Sequence, residues 1–217
     1  MAEERTAVVD AVVDHGADIR SLLLNVPGGV AFQPGQFLSC LLPVAGERLT
    51  RPYSIASDPE EPGRIELLLS LVPDGPGSHH LFGLGPGDTI RFTGPWGTFV
   101  LERAPAAEVV FVAIDVGIAP VRPMVRRALA TASHPVVLVY AATHPVYRDE
   151  LAALPGLRLE MVDPTALEAE IARRYLHADD DRSRHFFVCG VGDPVRRLRD
   201  ALRGGGYARR AVQYERW

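Results

Sequence analysis

Through the first hundred residues, apolar side chains recur at alternate positions or in short runs broken by turn residues. Thr6–Asp14 alternates loosely and is rich in Val, and Ile19–Val26 is an apolar run ended by Pro27-Gly28-Gly29. Gln36–Leu42 follows a Pro34-Gly35 turn, and Tyr53–Ala56, Ile65–Val72 and Thr89–Thr93 are each bounded by Pro, Gly or Asp. Short strands with frequent turn signals predict a closed antiparallel barrel or a sandwich. One helical turn is expected to begin near Ser78 and to cover a barrel end.

The pattern changes after Glu102-Arg103-Ala104-Pro105-Ala106-Ala107. Val109–Ile114 is wholly apolar, as a parallel strand buried on both faces would be. Helical spacing over Ala119–Ala132, a second buried strand at Val136–Tyr140, and a helix at Tyr147–Leu154 come next. Then follow a strand (Leu157–Val162), a helix (Ala166–Tyr175), a strand (His185–Cys189), a helix (Pro194–Arg203) and a last strand (Ala211–Tyr214). That alternation predicts a doubly wound parallel sheet. The expected organisation is therefore β plus α/β: an antiparallel domain over residues 1–103 and a nucleotide-type domain over 108–217.

Composition narrows the function. The 217 residues are 47% hydrophobic and 23% charged, with a net charge of −4, which is ordinary for a globular chain. There is no basic stripe of the kind that phosphate backbones demand, so nucleic-acid binding is not expected. All 23 basic residues are Arg, which excludes Schiff-base and P-loop lysine chemistry. Two cysteines, Cys40 and Cys189, are too few for a Cys₄ iron–sulfur or zinc site or a disulfide framework. A reducing, cytoplasmic setting follows. Met1-Ala2-Glu3-Glu4-Arg5 has no apolar signal-peptide region, and no apolar run is long enough to span a membrane.

Three segments of the first domain could carry chemistry. Arg51-Pro52-Tyr53-Ser54 offers a planar cation, an aromatic face and a hydroxyl. Arg can grip a diphosphate bidentately, and Tyr can pack on a flat ring. Strand alternation would point Arg51 and Tyr53 one way and Ser54 the other. The plainer account is an exposed Arg and a core Tyr at a strand start. Val72-Pro73-Asp74-Gly75-Pro76-Gly77-Ser78 reads as a glycine-rich turn with Ser78 at a helix N-cap, a local anion site or simply a capped loop. Gly94-Pro95-Trp96-Gly97-Thr98-Phe99 is a tight structural turn.

Taken in order, these segments resemble the ferredoxin–NADP⁺ reductase family, whose FAD domain carries R-x-Y-S, a Gly-x-x-Ser-type phosphate loop and G-P-x-G-x-F. The resemblance continues through Gly117-Ile118-Ala119-Pro120, Tyr147-Arg148-Asp149-Glu150-Leu151, Cys189-Gly190 and the ending Tyr214-Glu215-Arg216-Trp217. It implies an FAD-binding antiparallel β-barrel followed by an NAD(P)-binding α/β domain. It implies that Arg51 holds the FAD pyrophosphate and that Tyr53 packs on the isoalloxazine. Ser54 would hydrogen-bond near flavin N5, the backbone of Ser70 and Leu71 would line the ring edge, and Gly77 and Ser78 would bind phosphate. On the nucleotide side it implies Val116, Gly117, Pro120, Cys189 and Gly190. Trp217 would cover the flavin face and move aside when the nicotinamide arrives. Ser54, Cys189 and Trp217 are thus the catalytic candidates, and no metal is implied. Hydride from NADH or NADPH would pass through FAD to a separate acceptor: a ferredoxin, an oxygenase component or a small molecule.

The second domain departs from the family pattern. Gly-Gly-Thr-Gly-Ile-Ala-Pro is replaced by Ile114-Asp115-Val116-Gly117-Ile118-Ala119-Pro120, and Cys-Gly-Pro by Cys189-Gly190-Val191. Two glycines that admit a pyrophosphate and a hydroxyl that donates to it are lost. One account is family drift with Asp115 turned to solvent. The other is an FAD protein that no longer uses NAD(P)H and serves a biosynthetic or structural role. A third reading is an electron-transfer subunit acting within a complex. Thr143 stands near where NADP-preferring relatives place Arg, which favours NADH, with Arg148 as an alternative contact. Gly190 would allow close approach of a ligand to Cys189. Cys40 reads as core, His79-His80 as surface or phosphate-side residues, and Arg122, Arg126 and Arg127 as a solvated face that could dock an acidic ferredoxin.

Overall fold

A computed structural model of the chain describes residues 3–16, 18–61 and 63–217. Met1 and Ala2, with which the charged N-terminal segment opens, lie outside the described residues. The chain divides into two compact units, Met1–Val100 and Leu101–Trp217.

The first unit contains β1 (Arg5–Gly16), β2 (Ile19–Asn25), β3 (Phe37–Val44), β4 (Glu47–Ser54), β5 (Arg64–Ser70), α1 (Pro76–Phe82) and β6 (Thr89–Trp96). All pairings are antiparallel, in the order β4-β3-β6-β1-β2-β5. An antiparallel bridge between Ile55 and Leu67 joins the end of β4 to β5 and draws the sheet toward a barrel. The inward positions are those the period of two selects: Ala7 and Val9, Leu22 and Leu24, Leu38, Cys40 and Leu42, Ile65, Leu67 and Leu69, Ile90 and Phe92. Leu81 of α1 plugs this core.

Two local expectations are corrected. The strand expected at Tyr53–Ala56 runs instead over Glu47–Ser54, so Arg51 lies inside β4 rather than at its start. Its polar outer residues conceal the strand, and an edge position tolerates them, since Pro52 owes no N–H to an outer neighbour. Ser78 is not the N-cap of α1. The cap is Gly75, Pro76 occupies the first turn, and Ser78 sits within the helix. Proline's fixed φ and missing N–H suit the first helical turn, which moves the start ahead of the serine.

The second unit contains β7 (Val109–Ile114), α2 (Ile118–Thr131), β8 (Val136–Ala141), α3 (Arg148–Ala152), β9 (Leu157–Val162), α4 (Leu167–Tyr175), β10 (His185–Gly190), α5 (Asp193–Gly204) and β11 (Val212–Arg216). The strands are parallel in the order β11-β10-β7-β8-β9. Every residue of β7 and β8 is buried, as central strands covered on both faces require. Alternate residues Val110, Val112 and Ile114, Val137 and Val139, and Phe186 and Val188 pack with Leu167 and Ile171 of α4 and Val195, Leu198 and Leu202 of α5. α2 packs against β7, β8 and β10. Strand order reverses at the β7/β10 pair, and in such sheets ligands gather at the carboxyl ends beside that reversal.

Candidate active site

In the first unit, pairing across β3 and β4 sets Leu38 against Tyr53, Cys40 against Arg51 and Leu42 against Leu49. Arg51 and Tyr53 therefore share one side of the strand, as their spacing predicts. Tyr53 packs against the core, and its hydroxyl pKa is pushed up to about 12, by burial first and by Cys40 second. Arg51 is exposed. Its one hydrogen bond among the described residues runs from Nη1 to the Thr50 carbonyl (2.9 Å), and it makes no ion pair there. Its guanidinium is thus open to an anion. Gly77 of α1 lies against the stem of this arginine. A Cβ there would meet Arg51 Cγ at 3.2 Å and Leu42 and Leu49 methyls at 3.3 Å. Glycine at 77 thus lets α1 lie close to β4.

Ser54 closes the strand. Its residue is 5% exposed, and its Oγ is buried with no hydrogen-bond partner. Leaving a buried hydroxyl unsatisfied costs about 1–3 kcal/mol, so a group supplied by a ligand is the natural partner. Ser78 differs. Its Oγ accepts from Val72 N–H (3.0 Å) and donates to Gly75 O (2.8 Å), so the hydroxyl is committed to the 72–75 turn. Ser70 ends β5, and the Leu71 N–H is taken by Asp18 O (2.8 Å). His79 Nε2 lies 2.8 Å from the Pro73 carbonyl, and no metal-binding group of His, Cys, Asp or Glu occurs among the described residues.

In the second unit the nucleotide-side candidates converge on the carboxyl edge of β7 and β10. Val116 and Gly117 belong to a single 3₁₀ turn, Asp115–Gly117, which leads directly into α2, where Pro120 is buried in the first turn. A Cβ on Gly117 would stand 2.3 Å from Cys189 O, and one on Gly190 would stand 2.6 Å from Ile114 Cβ. The direction in which Gly190 was expected to admit a ligand is filled by Ile114. Its small size serves the contact between strands.

Cys189 is fully buried, and its thiol pKa is raised well above the usual range, by desolvation first and then by Glu215. The two are register partners on β10 and β11. Glu215 Oε2 is buried without a partner, and burial pushes its carboxyl pKa up to about 7. Trp217 N–H donates to Gly190 O (3.2 Å), its carbonyl accepts from Gly192 N–H (3.3 Å), and its side chain lies near the Cys189 sulfur. Cys189, Glu215 and Trp217 thus form one cluster. Glu215 escaped notice in the sequence because a charged residue near the end of a chain reads as solvated. Its alternation with Trp217, two positions on, was the available signal.

The helical arginines are largely engaged. Arg122 makes a bidentate pair with Glu150 (2.8 and 2.7 Å) and covers the Tyr147 ring, and Arg126 also reaches Glu150 (2.8 Å). They brace α2 to α3, and the pairing holds the Glu150 carboxyl below its ordinary pKa despite burial. The face expected to be solvated is therefore in part an internal brace.

An open guanidinium beside a tyrosine ring, a glycine-floored helix and an unpartnered buried hydroxyl form a donor set suited to a flat heterocycle bearing a diphosphate. They fit FAD. The sequence family described as the oxidoreductase FAD-binding domain matches residues 7–101. Ferredoxin--NADP reductase B of Sorangium cellulosum is 34% identical over all of this chain and 98% of its own length. The glycine betaine monooxygenase reductase subunit of Pseudomonas aeruginosa is 31% identical over 90% of this chain, but the match spans only 59% of that subunit. A ferredoxin NADP⁺ reductase from Neisseria gonorrhoeae, solved with bound FAD and NADP, shares the fold at a TM-score of 0.82 and 23% identity, over 100% of this chain and 99% of its own. Fold and site together define a flavin-dependent oxidoreductase. Within that class the chain belongs to the ferredoxin–NADP⁺ reductase family. No helix among the described residues is long and apolar enough to cross a membrane.

Proposed function

We propose that this protein carries electrons from NAD(P)H through FAD to a separate acceptor, a ferredoxin, an oxygenase component or a small molecule. The observation that carries the flavin side is the buried, partnerless Ser54 hydroxyl at the end of the strand that also bears Arg51 and Tyr53. When bound, FAD supplies two-electron acceptance from a nicotinamide and release to an acceptor. The chain's residues bind and orient. Arg51 would neutralise the pyrophosphate, Tyr53 would present a ring held by the barrel core, and Ser54 would donate or accept a hydrogen bond at the edge of the flavin ring. Ser70, Leu71, Gly77 and Ser78 contribute backbone, with Ser78 holding the shape of the phosphate turn through its own hydroxyl.

In the second unit Val116, Gly117 and Pro120 form the floor for the nucleotide, and Cys189, Gly190, Glu215 and Trp217 form the edge that receives the nicotinamide. Glu215, titrating near neutrality, can hold or yield a proton there. A cytoplasmic setting belongs to this reading, since both cysteines are free and buried. The reductase subunits of oxygenase systems among its relatives are longer than this chain. An acceptor on another molecule fits a sequence without a Cys₄ cluster. Anaerobic titration of the holoprotein with NADH and with NADPH tests the proposal. Bleaching of the flavin absorbance by at least one donor is expected, and a spectrum unmoved by both refutes it.

A further inference from the structure

Asp115 stands at the turn after the first strand of the doubly wound sheet, the place where such folds seat the phosphates of a dinucleotide. Its backbone is left-handed (φ 49°), a conformation that glycine adopts freely and other residues adopt at a cost. Its side chain is exposed, and its carboxylate lies near the Thr143 N–H and His144 of the loop that follows β8. One anionic side chain therefore stands between two loops at the carboxyl edge of the sheet. Arg122 and Arg126 of the helix that follows are bound to Glu150. Val116 and Gly117, which complete the turn, bring no charge or hydroxyl. Desolvation at this spot already disfavours the ionised form, since the carboxyl pKa is shifted upward in spite of the Thr143 hydrogen bond and His144.

We propose that Asp115 holds the nucleotide affinity of the second unit down, by placing a negative charge where the pyrophosphate of NAD(P)H is received. This inference rests on the nucleotide-binding role proposed above. The effect is electrostatic, so it acts on every dinucleotide and on ADP-ribose alike. It also weakens as salt screens the charges.

The test is equilibrium binding of NAD⁺, NADP⁺ and ADP-ribose to the full-length holoprotein, by calorimetry at low and at moderate ionic strength. It compares the wild type with Asp115→Asn and Asp115→Gly. Asparagine tolerates the left-handed backbone and keeps an oxygen for Thr143, so this variant removes only the charge. Glycine relaxes the backbone as well. Tightening of about fivefold or more in Asp115→Asn, largest at low salt, is the expected result. Affinities within twofold of wild type, or weaker, overturn the assignment while leaving the nucleotide-binding role intact. Absence of binding by wild type and both variants at millimolar ligand overturns both.

Discussion

Glu215 shows how a single group can carry a pH signature. Its carboxyl is raised from an ordinary 4.5 to about 7 because Oε2 is sealed without a partner. The folded chain therefore holds this proton more tightly than the unfolded chain does. Stability from the site is fully present below the unfolded value and is lost as pH climbs toward 7. The loss is about 1–3 kcal/mol once partial solvent contact is discounted. Glu215→Gln should flatten that part of the profile. Urea unfolding of both proteins at pH 5 and pH 8 checks it, and a wild-type/variant difference that does not change with pH would contradict it. Legibility at this scale was uneven. Arg51, Tyr53 and Ser54 could be read because alternation fixes which side chains share a face. Glu215 could not, because its burial depends on β11 pairing with β10 beyond the intervening α5.

Elements were more legible than their ends. The apolar runs at Val109–Ile114 and Val136–Tyr140 announced buried parallel strands because nothing polar survives between two helical layers. The apolar pattern misses β4 because an edge strand may leave Glu47, Arg48, Thr50 and Arg51 exposed and still pair fully with β3. The helix start at Pro76 rather than Ser78 turned on proline's geometry over serine's capping preference. Gly117 gives the sharpest consequence at this scale. A methyl group there would meet the Cys189 carbonyl carbon and oxygen at 2.6 and 2.3 Å, and backbone atoms cannot step aside as a side chain can. Gly117→Ala should destabilise the protein by about 2–3 kcal/mol or more, the upper range for overpacking. Thermal or urea unfolding would register this, and a loss under 0.5 kcal/mol would mean that the turn relaxes freely.

At the scale of the molecule, the switch from alternating to unbroken apolar runs near residue 104 disclosed two kinds of architecture. It did not disclose how the first sheet curls, which depends on the Ile55–Leu67 bridge between segments that sequence reading treats separately. If the first unit holds FAD, its removal should lower the melting midpoint. A hundredfold excess of cofactor over Kd stabilises by about 2.7 kcal/mol, or roughly 11–22 °C for a unit of this size. Melting apoprotein with and without added FAD measures it, and coincident curves would argue against binding to the folded state.

The contact between Gly117 and the end of β10 also has a mechanical meaning. With backbone pressed on backbone at Gly117 and Gly190, the two central strand ends behave as a rivet and cannot slide or part without breaking packing on both. A visiting molecule must adjust to a stiff seat.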